Sequence, residues 1–321
     1  MRILAILLLL GGLAQAHGAD PDLAIMRQAG SLDVRIGKTT VARYVYQDPT
    51  VSRPYFVDLR TPSGLQVSRR HPPVEGQDAT DHLGLHTGFW LSFGDLNGYD
   101  YWRQKARTEH AGFVTEPQTS SGHGEFAVRN RYLTTDGKGC AAEEICRYLI
   151  QSVPGGYRIA LDSEFSPGDG ELVFGDQEEM GLGLRMATEL VVDSKQGGRI
   201  LDSEGRINGK DVWGKTAAWC DYAGPLAGAD GKRWAGMTLL TGPGNFRPCW
   251  SHARDYGFLA MNPFGQKAFT GGEASRIVIA PGQTLRLQYA IVVHESATEA
   301  DFSPAAAYQD YSATAGQPAA K

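Results

Sequence analysis

The sequence predicts an all-β protein, a large antiparallel β-sandwich, and three observations predict it. Apolar residues recur at period two: Tyr157, Ile159 and Leu161 alternate with Arg158 and Ala160, and Leu285, Leu287, Tyr289, Ile291 and Val293 alternate with Arg286 and Gln288. Glycine is frequent, 40 of 321 residues, while long helical periodicity is scarce. Turn chemistry joins the alternating runs, as where Ala280-Pro281-Gly282-Gln283 links Ile277-Val278-Ile279 to the run from Leu285.

The elements follow in chain order. Residues 1–16 read as a cleavable signal peptide: Arg2 gives the positive start, Ile3 to Leu10 an apolar run, and Ala14-Gln15-Ala16 the small-x-small cleavage site. The run is shorter than the roughly 20 residues a transmembrane helix needs. No cysteine follows it as a lipid attachment point, and no later stretch spans a membrane. Cleavage after Ala16 would expose His17, which chelates copper only where the fold brings a second histidine to it. The expected location is the periplasm or the extracellular space.

Residues 17–302 form the expected single sandwich domain, since no linker or internal repeat divides them. Short strands are expected at Val34 and Ile36, from Tyr44 to Tyr46 and from Tyr55 to Leu59, and a loop near 118–124. Residues 303–321, rich in alanine with proline, glycine and glutamine, are expected to be a flexible tail. Cys140 and Cys146 bracket GKGCAAEEIC and, after export, are expected to pair; Cys220 and Cys249 could form a second bridge or stay thiols. The formal net charge of −5 has no basic block, which argues against nucleic acid as a partner.

Three segments carry the chemistry. In 86–94, Phe89, Leu91 and Phe93 make a core face, and His86, Gly88, Trp90, Ser92 and Gly94 the opposite one. In 174–188, Met180, Leu182, Leu184 and Met186 make a core face, opposite Glu179, Gly181, Gly183 and Arg185. Glycine in a strand often marks close approach by a ligand or another backbone. Two such strands therefore suggest a glycine-floored ligand face flanked by acid–base groups. In 246–265, Arg247, Trp250, His252, Arg254, Asp255, Tyr256 and Asn262 crowd one polar span. A fourth segment, WGKTAAWCDY, alternates Trp213, Lys215, Ala217, Trp219 and Asp221.

Other chemistries lack their signatures. There is no G-x-S-x-G, P-loop, H-E-x-x-H, C-x-x-C or dinucleotide fingerprint. His82 and His86 stand four apart, but their glycine neighbours do not suit a metal-binding helix. No cofactor is expected.

In combination, RPYFVDLRTPSG (53–64), the Asp81/His82/His86 segment with GFWLSFGDLNGYDYW (88–102), WGKTAAWCDY (213–222) and RDYGFLAMNPFG (254–265) resemble the PmoA-like family, also labelled methane oxygenase PmoA. The resemblance covers roughly residues 50–295. Where many members carry His-Pro-His-His, this chain has His82-Leu83-Gly84-Leu85-His86, and His86, before Gly88 and Trp90, is the better match. The resemblance implies a secreted β-sandwich similar to the sugar-binding supersandwich of galactose mutarotases.

The function expected is that of a secreted carbohydrate-active enzyme, foremost a glycoside hydrolase. His86, Glu179, His252, Asp176 and Asp255 are its catalytic candidates. Trp90, Arg185, Arg254, Tyr256, Asn262 and Trp219 are its substrate-binding candidates. The partner would be an oligosaccharide or polysaccharide. A polysaccharide lyase or sugar epimerase, and a non-catalytic periplasmic glycan-binding protein, are the alternatives.

Overall fold

A computed structural model describes residues 23–315. The expected signal peptide, its cleavage site and His17 lie outside the described residues. Two large sheets, antiparallel throughout, stack face to face. One has nine strands, in spatial order Leu23–Gln28, Ser31–Ile36, Thr39–Val45, Tyr55–Val57, Phe89–Phe93, Met180–Arg185, Phe258–Asn262, Cys249–Arg254 and Thr216–Ala217. The other has eight: Arg199–Asp202, Trp219–Gly228, Gly231–Thr241, Leu285–Ser296, Gly156–Pro167, Cys140–Val153, His123–Leu133 and Thr108–Ser120. The sandwich read from the sequence is thus the fold. No described helix is long and apolar enough to cross a membrane.

Period two decides which residues meet between the sheets. Met180, Leu182 and Leu184 from the nine-stranded sheet pack in one core with Tyr157, Ile159, Leu161, Leu287, Tyr289 and Ile291 from the eight-stranded sheet. The outward faces are covered separately. Trp90, Trp102, Phe258 and Ala260 form a cluster on the nine-stranded sheet, and Trp219, Leu240, Ala290, Val292 and Tyr311 form another on the eight-stranded sheet.

Three expectations are corrected. Residues 304–314 are not a flexible tail; they form the helix Pro304–Thr314, and the chain beyond residue 315 lies outside the described residues. The Ser303 hydroxyl accepts the Ala306 N–H at 3.2 Å, Pro304 opens the first turn, and Tyr311 is buried against the eight-stranded sheet. Its alanines, read as low complexity, are the strongest helix formers.

Cys140 and Cys146 do not pair. Both lie on the strand Cys140–Val153, where six residues of rise separate them by about 20 Å, far beyond the roughly 7 Å limit for Cα atoms of a disulfide. All four cysteines are free and buried, with Cys220 and Cys249 on different sheets. The loop expected near 118–124 is a tight turn at Ser121-Gly122, where Gly122 takes φ +71° between two long strands.

Candidate functional site

The sequence-predicted groups meet on the outward face of the nine-stranded sheet, where register sets them in rows. Arg185 pairs with Phe258, which pairs with Arg254, while the Arg185 N–H donates to Gly88 O at 2.7 Å. The next row holds Trp90, Gly183, Ala260 and His252.

The glycines in these rows do not form a bare floor for a ligand. A Cβ on Gly183 would meet Trp102 Cη2 at 2.7 Å and Trp90 Cζ2 at 3.1 Å; on Gly88 it would meet Phe56 O, and on Gly181, at φ +92°, Met261 O, each at 2.2 Å. The chain's own indoles and backbone take the space. Trp90, expected to stack a sugar, is 1% exposed and lies beneath the site.

Two groups of polar side chains stand on this base. In the first, Arg185 grips the Asp81 carboxylate with two hydrogen bonds of 2.7 Å, and His82 Nδ1 lies 2.7 Å from Asp81 Oδ2. Burial opposes ionisation of Asp81, but hydrogen bonds from Arg185 and His82 and the Arg185 charge hold its carboxyl well below the usual range. His82 stacks on His86 at 4.6 Å, and His86 lies flat against Phe258 at 4.8 Å and Trp90 at 5.2 Å. Tyr256 lies parallel to His82 at 5.9 Å and covers the Arg185 guanidinium at 4.7 Å.

The roles of the two histidines follow from access. His86 is buried, and its Nδ1 is 3.2 Å from Arg185 Nη1, which can only donate. His86 is therefore neutral, with its proton on Nε2, and burial with the Arg185 charge pushes its pKa down to about 2. That makes it a fixed acceptor rather than the acid or base expected of it. His82 is the exposed ring, held through Nδ1 by Asp81, and Nε2 has no hydrogen-bond partner among the described residues.

The second group centres on Glu178. Arg254 Nη2 donates to Glu178 Oε2 at 3.2 Å, and His252 Nε2 lies 3.4 Å from the same oxygen. His252 Nδ1 faces the Glu178 carbonyl oxygen at 3.3 Å. Both ring nitrogens thus face acceptors. A neutral ring that donates from Nδ1 to the carbonyl leaves Nε2 without its proton beside the carboxyl. Burial raises the Glu178 carboxyl against the lowering effect of Arg254, and burial with Arg254 takes His252 down to about 3. Glu178 thus holds a proton more readily than an ordinary carboxyl, and His252 less readily than an ordinary imidazole. Phe258 joins the two groups, with its ring 4.8 Å from His86 and 4.9 Å from His252. Burial raises the Tyr256 phenol, and Arg185 from one group and Arg254 from the other pull it back.

Several candidates serve the frame instead. Asp176 accepts the backbone N–H groups of Lys267, Ala268 and Ser275 at 2.6–3.0 Å, pinning the helix Gln266–Thr270. Asp255 accepts the Gly209 N–H at 2.7 Å and so pins the helix Asn208–Val212. Asn262 is buried; its amide donates to the Gln177 and Glu178 carbonyls and its oxygen accepts from Phe264 and Gly265. It holds the loop that carries Glu178. Trp219 lies on the opposite side of the molecule, because the chain crosses from one sheet to the other between Ala217 and Trp219. The side chain of Glu179 is tied to Arg103, which also bonds Asp100 at 3.2 Å and Gln177 at 3.1 Å.

Sequence reasoning missed Asp81 and Glu178 as site acids and ranked His82 below His86. The Asp-His pair at 81–82 was the available signal. Glu178 had none, because the strand begins only at Met180 and parity does not extend to the loop before it. Among the described residues no group of three or more His, Cys, Asp or Glu could hold a metal ion. A groove of about 590 Å³ lies elsewhere, on the outward side of the eight-stranded sheet, between Leu149, Arg158, Asp162, Arg286 and Tyr311. No histidine lines it.

Residues 31–307 match a family described as "Family of unknown function (DUF6807)". No curated protein matches the chain. Among solved structures, the Slr1438 protein of Synechocystis sp. PCC 6803 aligns at 13% identity and TM-score 0.34, covering 88% of this chain and 99% of its own. Galactose mutarotase-like proteins from Lactobacillus casei (9%, TM-score 0.36, 86% and 100%) and Clostridium acetobutylicum (8%, TM-score 0.34, 87% and 99%) align over similar lengths. At these scores the likeness carries no argument about this chain, and the site is read from its own geometry.

Proposed function

The chain belongs to that family of unknown function, DUF6807, and from its site we propose that it is a carbohydrate-active enzyme, a glycoside hydrolase working by general acid–base catalysis. One observation carries the reading: two carboxyls on one face are driven apart, Asp81 held ionised by Arg185 and His82, and Glu178 raised by burial beside His252. Such divergence is how one site supplies both acid and base. Glu178 gives its proton to the glycosidic oxygen as the bond to the anomeric carbon breaks. His82, oriented by Asp81, takes a proton from water on Nε2 as the water oxygen attacks that carbon. The exposed His82 and half-buried Tyr256 rings offer flat surface to a sugar, and Arg254 offers donors to its hydroxyls. Export through the expected signal peptide would bring the chain to glycans outside the cytoplasm.

A second reading has one supporting contact. Tyr256 stands directly over Arg185, the pairing of base and cation that a lyase or epimerase would use on a uronate. Incubation with a panel of oligosaccharides separates the readings. New reducing ends without absorbance from an unsaturated uronate are expected for the hydrolase; that absorbance would replace it with the lyase. Binding with no product, unaltered in Glu178→Gln, would leave a non-catalytic glycan-binding protein.

A further inference from the structure

Three guanidinium groups are buried around the His82–Tyr256 side of the site, and one carboxylate serves them. Arg53, 3% exposed, donates to the Trp102 carbonyl at 3.0 Å and to the Leu85 carbonyl, and lies over Trp90 at 5.1 Å. Among the described residues no carboxylate lies within ion-pair distance of it. Burial takes its pKa down to about 9, opposed only by the phenols of Tyr55 and Tyr132 and by no carboxylate. Arg69 is fully buried and spends its donors on the carbonyls of Ala79, Asp81, His82 and His86, with Asp81 Oδ1 at 3.5 Å. Arg185 is 1% exposed and takes Asp81 bidentate. Three positive charges thus share the Asp81 carboxylate, and the next nearest, Asp78, which also acts on Arg69, is itself paired with Arg70 at 3.0 Å. In the other half each cation has an acidic partner, Arg103 with Asp100 and Glu179 and Arg254 with Glu178.

Buried cations without counter-ions are costly, and in a low-dielectric wall their field is focused on whatever occupies the opening. Here the exposed His82 ring and the half-buried Tyr256 ring, stacked at 5.9 Å with Tyr256 over Arg185, lie on the solvent side of this cluster. We infer that the sugar bound on this side carries an anionic group, a uronic acid carboxylate or a sulfate ester, drawn by the uncompensated charge of Arg53 and Arg69, while the Glu178 side takes a neutral sugar. This rests on the glycan reading above and adds the charge of its substrate.

The test uses an oligouronide, the same oligouronide with its carboxylates methyl-esterified, and a sulfated neutral oligosaccharide, with binding followed by calorimetry on the Glu178→Gln protein. The free acid is expected to bind at least 10-fold more tightly than the ester, with the difference shrinking as salt rises. Sulfated sugar binding as well as the free acid assigns the charge to sulfate too. Arg53→Met is expected to abolish the acid-over-ester preference while leaving ester affinity in place, and Arg53→Lys to restore it. Should Arg53→Met fail to fold, the acid and ester comparison with Arg53→Lys still decides. Equal, salt-insensitive binding of acid and ester overturns the inference and leaves the glycan reading standing; no binding of any of the three overturns both.

Discussion

Replacing Glu178 by glutamine is expected to lower turnover by about 10²- to 10⁴-fold, the usual range for losing a positioned acid. The amide keeps the size and shape of the carboxyl, and its oxygen can still accept from Arg254 at the 3.2 Å position. Only the transferable proton is removed. Substrate affinity should therefore hold while kcat falls, which separates loss of chemistry from loss of structure. The pH profile adds a second readout. Burial raises the Glu178 carboxyl, so the protein should lose activity on the alkaline side as that proton leaves, above the ordinary carboxylate range. In Glu178→Gln that limb should vanish. A kcat within a few-fold of the parent, with the limb intact, would assign the acid elsewhere.

Acid is expected to unfold the protein steeply, and His86 and His252 set much of that slope. Their pKa values fall from 6.5 to about 2 and about 3 in the folded state, both through burial first and a neighbouring arginine second. Above pH 6.5 folded and unfolded chains carry them alike. Below it the unfolded chain binds a proton on each that the folded chain refuses, so stability falls with pH down to the folded values. Each histidine contributes about 1.4 kcal/mol per pH unit over that window. Glu144, buried and raised chiefly by desolvation, works in the opposite direction, as does Glu178. The clean measurement is therefore a difference. His86→Asn keeps an acceptor for Arg185, and its stability in urea from pH 4 to 6.5 should show a slope shallower by about 1.4 kcal/mol per pH unit. Equal slopes would mean that His86 titrates normally.

The fold was legible because it depends on period two, and the strand Leu285–Ser296 shows why. Its alternation assigned Leu287, Tyr289 and Ile291 to the core, and they are there. What alternation could not show is that the other face is covered as well: Ala290 and Val292 are buried by the helix Pro304–Thr314, in a stretch that composition alone made a tail. The site was legible in part. Arg185, His252 and Arg254 do gather on one outward face, because strand parity and register place them there, and Tyr256 joins them from the turn after Arg254. The glycine floor misled, since the residues filling it, Trp102 above all, arrive from a loop whose path no local pattern encodes. Asp176, Asp255 and Asn262 looked catalytic by type, but each is consumed by backbone groups of distant segments. Burial, finally, reversed the order of His82 and His86.

The claim that this face receives the substrate can be tested directly by following histidine ring signals in NMR as an acidic oligosaccharide is added to the Glu178→Gln protein. The exposed His82 ring should move, with Tyr256→Ala weakening the effect, while His110, His123 and His294, which lie on the eight-stranded sheet, should not. Movement of those three with His82 unchanged would place the ligand on the other sheet and contradict the site described for this protein.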